Sequence, residues 1–498
     1  MPEFERVLVA NRGEIALRIV RSLKTLGIRS IAVYSDVDVS SLHVLEADQA
    51  FPLQGVYSSD TYLSIEKIIE IARKSDAGAI HPGYGFLSEN PVFSRACKEN
   101  SIKFIGPSPE TLEKSSNKLE CKKLAEKNGV PVIPYSKDPV EDSDEAAKLA
   151  RDIGFPVLIK TAFGGGGRGI KQADNSEQVK EAFESSKREA KGSFGRFAAF
   201  VEKKLVKPRH IEIQVLASDD SSELVHLGER ECSIQRRYQK LIELSPSPVI
   251  DEETRKKVGE YAIKICRAVK YANAGTVEFL RDAGGNFYFL EINSRLQVEH
   301  PVTEFVSGVD IVTSQIEIAS KRKFPWSQRN IELKGSAIEC RINAEDPFFD
   351  FAPSSGQIEF LRFPSGPGVR VDSGLYEGQE ITPFYDSLLA KVITHGESFD
   401  LARRRMLAAI EEFTIAGVES TIPFHKLVME DRSFSSGKID TSFLEESSVS
   451  QELKERSYDS DFYAIGALLL SKNWFPVPSK TNLKPLQRNN RRRYVEPL

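Results

Sequence analysis

Phe287-Tyr-Phe-Leu-Glu-Ile-Asn-Ser-Arg-Leu-Gln-Val-Glu299 starts apolar and turns polar on every second residue. The run from Phe287 to Leu290 is apolar at each position, as in a strand buried on both faces of a sheet. From there Glu291, Asn293, Arg295, Gln297 and Glu299 fall on alternate positions. In an extended chain these side chains would all project to one side. Carboxylates with an amide oxygen suit Mg²⁺, and an arginine beside a further carboxylate suits an oxyanion next to its base. The solvated face of an edge strand gives the same alternation. The buried run ahead of it favours a cleft at the end of the strand.

Working outward, Thr276-Val-Glu278-Phe279 places one carboxylate in an apolar strand, and Asp282-Ala-Gly-Gly285 follows as a hairpin signal. Glu278 and Glu291 are then expected on neighbouring antiparallel strands. Opposed carboxylates repel unless a cation neutralises them, which makes this pair a magnesium candidate. Lys207-Pro-Arg-His210-Ile-Glu212-Ile-Gln214 alternates His, Glu and Gln along another strand. Glu229-Arg-Glu-Cys-Ser233 and Gln235-Arg236-Arg237-Tyr238-Gln239-Lys240 form a dense charge cluster. Alone, that cluster is a solvated face; beside a nucleotide and an anion, it holds substrates. Glu339-Cys-Arg341-Ile-Asn343 is a further strand end of this kind. Arg341 there suits either a salt bridge or a developing anion.

A glycine loop, Gly164-Gly165-Gly166-Gly167-Arg168-Gly169, follows a strand ending in Lys160. Successive backbone N–H groups without Cβ atoms can wrap a phosphate oxygen, and the lysine can neutralise it. The lysine precedes the glycines, so this is not a Walker A loop. Flexible hairpins share the same composition. Glu202-Lys203-Lys204-Leu205 reads as a strand exit, with backbone groups and an apolar residue suited to a purine.

The first ~110 residues alternate strand and helix signals, the pattern of a parallel, doubly wound sheet. Strands are expected at residues 7–10, 31–34 and 77–80, with helices from Glu14 and over residues 65–74. Ile15, Ile19 and Leu23 mark the buried face of the first helix. His81-Pro-Gly-Tyr-Gly-Phe-Leu-Ser-Glu-Asn90 occupies the carboxyl end of the third strand, where α/β sheets bind ligands. One helix over residues 108–123 carries Lys118, and residues 130–205 form a compact unit. Further helices are expected at 252–269 and 399–415, and strands at 336–342, 356–360, 369–371 and 388–394.

Composition sets the limits. The chain has 498 residues, 40% apolar, with a net charge of −4. That balance excludes nucleic acid or a membrane surface as the main partner. No apolar run reaches the roughly 18 residues of a membrane span. The start of the chain shows no signal-peptide pattern, and the five cysteines form no CxxC pair. A cytoplasmic protein with reduced thiols is the expectation. Cys232 stands out because charged residues flank it. The last fifty residues end in a basic tail that includes Arg491-Arg-Arg493.

Taken together, the motifs ANRGEIA (residues 10–16), HPGYGFLSEN, GGGGRG, RHIEIQ, ERECSIQRR, EINSRLQVEHPVTE and ECRINAEDP resemble the biotin carboxylase family of the ATP-grasp superfamily. The resemblance covers about residues 1–447. It implies an α/β fold in which a Rossmann-like N-terminal domain (residues 1–114) precedes an ATP-grasp domain (115–320, lid about 130–205). A mixed α+β C-terminal domain (321–447) and an extension (448–498) would follow. The implied reaction uses ATP to activate bicarbonate as carboxyphosphate and then carboxylates biotin. Lys118, Lys160, Gly165, Gly166, Gly167, His210 and Gln235 match nucleotide and phosphate contacts, and Glu202, Lys203 and Leu205 match the adenine segment. Glu278, Glu291 and Asn293 match a site for Mg²⁺ (or Mn²⁺). Lys240, Arg295, Gln297 and Val298 match the bicarbonate pocket, Glu299 the general base, and Arg341 the residue that stabilises the biotin enolate.

Tyr238 departs from the family, which commonly has His there, and Leu244 stands where a second Glu is common. Carrier domains present biotin on a lysine between methionines, and neither Met406 nor Met429 precedes a lysine. A separate biotin carboxyl carrier protein and a carboxyltransferase subunit are therefore implied, and the family resemblance itself implies a homodimer. The final acceptor would be acetyl-CoA, propionyl-CoA or pyruvate. Two other readings are a carbamoyl-phosphate-type ATP-grasp ligase and a catalytically silent regulatory subunit. The first usually needs a second ATP-grasp unit, and the second should have lost Glu299, Arg341 or a metal carboxylate.

Overall fold

The computed structural model describes residues 4–161, 170–193, 199–321 and 324–455. Gly165, Gly166 and Gly167 of the glycine loop, and the basic tail, lie outside the described residues. The chain divides into two compact units, Met1–Ser450 and Gln451–Leu498. In the second, residues 451–455 are helical, and Gln451 donates to Glu455.

The N-terminal strands are β1 (Arg6–Val9), β2 (Arg29–Tyr34), β3 (Gln49–Pro52), β4 (Ala79–His81) and β5 (Lys103–Phe104). They form one sheet in the order β3-β2-β1-β4-β5, with every pairing parallel. This is the expected doubly wound pattern, with β3 and β5 added to the strands that the sequence marks. Helix Gly13–Leu26 buries Ile15, Ile19 and Leu23 on one face and stops at Gly27, which takes the left-handed conformation (φ 71°). The chain order reverses between β1 and β4, where such sheets open a crevice. At that point Asn11 donates its amide to the carbonyls of Pro82 and Tyr84, both at 2.7 Å. Gly83 permits this approach: its φ is +62°, and a Cβ there would meet the Asn11 amide nitrogen at 2.9 Å.

The expected single helix over 108–123 is two helices, Pro109–Ser116 and Lys118–Lys127. Asn117 divides them because its side chain caps the second one, accepting from the Glu120 N–H. Lys118 therefore opens a helix. Beyond it, β6 (Val157–Thr161), β7 (Lys171–Ala173) and β8 (Ala199–Lys203) form a small antiparallel sheet in the order β7-β6-β8. Helices Ser143–Ile153 and Ser176–Ser193 accompany this sheet. Val157, Ile159, Val179, Phe183 and Val201 make its core.

The largest sheet has eight strands. Its order runs β13 (Phe287–Asn293), β12 (Asn273–Arg281), β9 (Arg209–Ala217), β10 (Leu224–Arg236), β11 (Gln239–Ser245), β14 (Ser336–Asn343), then Leu388–Gly396 and Val369–Ser373. All of these pairings are antiparallel. The expected strand at 356–360 is two short ones, Gly356–Gln357 and Phe360–Arg362. The last long helix, Phe399–Glu412, ends before the expected 415, because Thr414–Ala416 pairs as a strand with Phe360–Arg362.

Candidate active site

Glu278 and Glu291 face each other in register across β12 and β13, as the hairpin signal implies. Each carboxylate already has its own cation. Glu291 pairs with Lys118 at 2.7 Å. Glu278 pairs with Lys240 at 2.9 Å and lies 3.2 Å from His210 Nε2. Asn293 donates to Glu278 at 2.7 Å. Two opposed carboxylates and an amide oxygen are hard donors, so this set fits a magnesium ion. His210, Glu212 and Glu278 also bring one ligand atom each within 4.8 Å of one another.

The alternation that singles out residues 291–299 holds for only two of its five members. The strand β13 ends at Asn293. Arg295 and Gln297 lie on an irregular turn, and Glu299 is the N-cap of helix His300–Ser307. Proximity therefore comes from the turn. Pro301 in the first turn of that helix supports a helix start, since proline is tolerated there. The turn is pinned by Glu89 of the HPGYGFLSEN segment, which accepts from the Ser294 N–H and from Arg295 Nε, both at 2.9 Å. Arg295 Nη1 reaches Gln297 Oε1 at 3.2 Å. Gln297 is buried, and its amide nitrogen has no hydrogen-bond partner among the described residues. Such a donor is costly unless a ligand takes it. The carbonyl of Val298 accepts from Lys391 at 2.9 Å.

Lys240 is the centre of the cluster. Its ammonium contacts Glu212 at 2.5 Å, Glu278 at 2.9 Å and Glu299 at 2.7 Å. Burial alone would lower its pKa, but those three carboxylates hold it well above the usual lysine range. Burial would likewise raise Glu299. Lys240, Arg341 and Arg230 together hold it well below the usual carboxylate range. Arg341 reaches Glu299 at 2.8 Å and Glu243 at 2.5 Å.

A second group of charges lies between β8 and the helix Lys118–Lys127. Glu202 is fully buried and paired with both Lys160 and Lys122, the latter at 2.6 Å. Burial would raise it, yet the two lysines hold it at about 2. Glu202 and Lys203 therefore belong to β8, within the strand, and not to an exposed strand exit. The ammonium of Lys203 is spent on the carbonyls of Gly154 (3.0 Å) and Phe155 (2.6 Å). Leu205 lies just past the strand end. Gln235 donates to the Cys232 carbonyl at 2.7 Å and stands 2.8 Å from His210 Nδ1.

Several residues at the site are given no individual role by the sequence. Lys122 is indistinguishable there from other helix lysines. Glu89 sits in the HPGYGFLSEN motif without a role of its own, and Glu243 looks like an ordinary surface charge. Arg230 sits in a cluster that alone reads as solvated, yet it is fully buried, bonded to Glu212, Gln214, Thr303 and Thr276. Cys232 is also fully buried, and burial pushes its thiol well above the ordinary range. Its charged sequence neighbours do not make it reactive.

Comparison with known proteins decides the family. Three family descriptions match in sequence: "Biotin carboxylase, N-terminal domain" over residues 3–112, "Carbamoyl-phosphate synthase L chain, ATP binding domain" over 117–326, and "Biotin carboxylase C-terminal domain" over 339–446. The chain is 47% identical over 442 residues to biotin carboxylase 1 of Bacillus subtilis, covering 89% of this chain and 98% of that one. The chain belongs to the biotin carboxylase family. Among solved structures, the biotin carboxylase domain dimer of Hydrogenobacter thermophilus 2-oxoglutarate carboxylase, in complex with MgADP, ADP and bicarbonate, superposes with a TM-score of 0.87. It is 46% identical, with 89% of this chain and 97% of that one covered. A solved biotin carboxylase component of a pyruvate carboxylase is 47% identical, with 89% and 98% covered and a TM-score of 0.76. The three-domain biotin carboxylase architecture is thus shared, as its motifs imply. No helix among the described residues is long and apolar enough to cross a membrane.

Proposed function

We propose that this chain uses ATP and bicarbonate to carboxylate biotin carried on a separate protein. The observation that carries this reading is the convergence of Lys240, Arg295, Gln297, Arg341 and Glu299 around one turn. There a carboxylate base stands among cations and a free amide donor suited to an anion. Bicarbonate enters this pocket, exchanging with the ion pairs that fill it. Glu299 takes its proton, and the bicarbonate oxygen so exposed attacks the γ-phosphorus of ATP. ADP leaves with the electrons of the broken P–O bond, and carboxyphosphate is the product. That intermediate yields CO₂ and phosphate. The phosphate so released takes the ureido N–H proton of biotin, Arg341 balances charge on the enolate this leaves, and its nitrogen attacks the CO₂ to form the N–C bond.

Lys118, Lys160, His210 and Gln235, with Gly165, Gly166 and Gly167, are the proposed contacts to the nucleotide and its phosphates. Glu202, Lys203 and Leu205 line the adenine end, the backbone of this segment serving because the Glu202 and Lys203 side chains are engaged elsewhere. Glu278, Glu291 and Asn293 hold Mg²⁺ or Mn²⁺, which neutralises the ATP phosphates. The domain limits proposed are 1–114, 115–320 with a lid at about 130–205, 321–447 and 448–498. A carboxyltransferase subunit, a biotin carboxyl carrier protein and a second copy of the chain complete the assembly in the cytoplasm. The partner carboxyltransferase selects the acceptor, acetyl-CoA, propionyl-CoA or pyruvate.

ADP release by the purified chain, with MgATP and bicarbonate, tests this directly. Free biotin is expected to stimulate release, and E299Q to lose the stimulation. A folded, ATP-binding chain that ignores both biotin and a biotinylated carrier domain refutes the reading.

A further inference from the structure

Behind Arg341 lie two buried carboxyls that the chemistry above leaves unused. Glu243 of β11 and Glu339 of β14 are direct partners in antiparallel register. Residues so opposed share one face of the sheet, with Cβ atoms about 5 Å apart. Both residues are fully buried. Helix His300–Ser307 covers that face, its Val302 and Val306 packing with Ala337 and Ile393. Arg341 follows Glu339 by two residues and is opposed across the next ladder by Lys391.

The guanidinium of Arg341 forms a bridge. Its Nε and Nη2 reach Glu243 Oε1 at 2.6 and 2.5 Å, and Nη2 also reaches Glu299 Oε2 at 2.8 Å. Among the described residues, neither oxygen of Glu339 nor Oε2 of Glu243 has a hydrogen-bond partner. A buried, unbonded carboxylate is costly, and two opposed carboxylates cannot comfortably both ionise. One proton on the pair relieves both problems.

We propose that Glu243 and Glu339 act as a carboxyl pair that positions Arg341 against Glu299, the pair's proton deciding how much of the guanidinium's charge the base carries. Neither residue touches a substrate; both work through Arg341. The inference rests on the reading of Glu299 as the base. With Glu243 ionised, Arg341 is drawn two ways and Glu299 is the stronger base. With Glu243 protonated, Arg341 is left to Glu299 alone and weakens it.

The surrounding charges agree with a proton held here. Around the pair stand Lys240 on β11, Cys340 and Arg341 on β14, Cys232 on β10, Lys391 on the adjoining strand, and Glu299 and His300 at the head of the covering helix. Glu304, further along that helix, is engaged by Arg18 and Arg370. Burial pushes Glu243 up to about 7, with Glu299 adding to burial and Arg341 opposing it. Burial and the charge of Glu243 put Glu339 well above the usual carboxylate range despite Lys391. The proton therefore rests on Glu339, while Glu243 titrates near neutrality.

The test combines pH profiles of biotin-dependent ADP release with infrared spectra of the resting protein. Wild type should lose turnover on the acid side of about 7. E339Q and E339L should leave that acid limb in place, because the carboxyl they replace is already neutral where Glu243 titrates. KM for MgATP should stay unchanged in both. E243Q should abolish the limb. A component of the protonated-carboxyl band that persists at pH above the Glu243 titration should vanish in E339Q. A limb that survives E243Q, or a band that loses no component in E339Q, overturns the inference. If wild type shows no biotin response, the function reading fails, and the infrared band still decides the pair.

Discussion

The ammonium of Lys240 stands 2.7 Å from Glu299 Oε1, and it is shared with two further carboxylates. The base is therefore stored in a neutralised form. A substrate anion enters by exchange with pairs already made, so the site never exposes a bare charge.

Removing that lysine should free the base. Lys240 is the largest opposite charge acting on Glu299, which burial otherwise pushes up. In K240Q the Glu299 pKa should rise toward neutrality, because the group that lowers it is gone. The acid limb of bicarbonate-dependent ADP release should move to higher pH, because Glu243 as well as Glu299 loses a charge that lowers it, and KM for bicarbonate should climb about tenfold or more. An unshifted limb in K240Q would show that the pair is idle in catalysis.

The metal pair can be tested separately. E291Q leaves Lys118 in place and removes one hard ligand, since the two groups pair at 2.7 Å. The magnesium concentration for half-maximal ADP release should rise by about tenfold or more. Excess EDTA should stop turnover in wild type. Titrating Mg²⁺ at fixed ATP gives the answer, and overlapping curves for E291Q and wild type would remove Glu291 from the site.

Acid should weaken the proposed lid. Glu202 is held at about 2 in the folded chain, down from 4.5, by Lys122 and Lys160 against the effect of burial. A depressed carboxylate stabilises the fold above its unfolded pKa, and that contribution fades as pH falls from 4.5 toward 2. E202Q should remove it at every pH and leave two lysines in low dielectric, a loss of about 3–5 kcal/mol. Urea unfolding at pH 7 and pH 4 reads both effects. Equal stabilities of E202Q and wild type at pH 7 would contradict this account.

The thiols should be silent. Cys97, Cys121, Cys232, Cys266 and Cys340 are all free and buried. Burial pushes Cys97 and Cys121 up to about 12. A thiol-reactive dye should label the native chain slowly and all five positions rapidly in denaturant. Fast labelling of Cys232 in the native state would expose an opening that this packing does not contain.

Much of the site was legible because its residues cluster in short motifs whose local spacing survives folding. Glu278 and Glu291 are the clearest case, since a hairpin sets their register within a few residues. The five-residue alternation succeeded in naming residues and failed in geometry. A strand period was extended past Asn293 into a turn, where Glu89, some 200 positions earlier, sets the shape. Lys122, Arg230 and Glu243 were not legible, because burial decides their meaning and their partners come from distant strands. The Asn117 break was missed for a local reason: an asparagine inside a helical pattern gives little sign that it will cap a new helix.

One large-sheet feature reaches beyond catalysis. The strand β14 hydrogen-bonds directly to β11, so the ladder runs without interruption across the proposed limit at residue 320. A chain cut there would leave the row Gln239–Ser245 with unpaired backbone groups along a buried strand, an open template for pairing with any other chain. The nucleotide-handling half and the Arg341 half are thus one weave. Exchange of either alone between relatives would carry a seam of mismatched strands, so the two are expected to be inherited as a single piece.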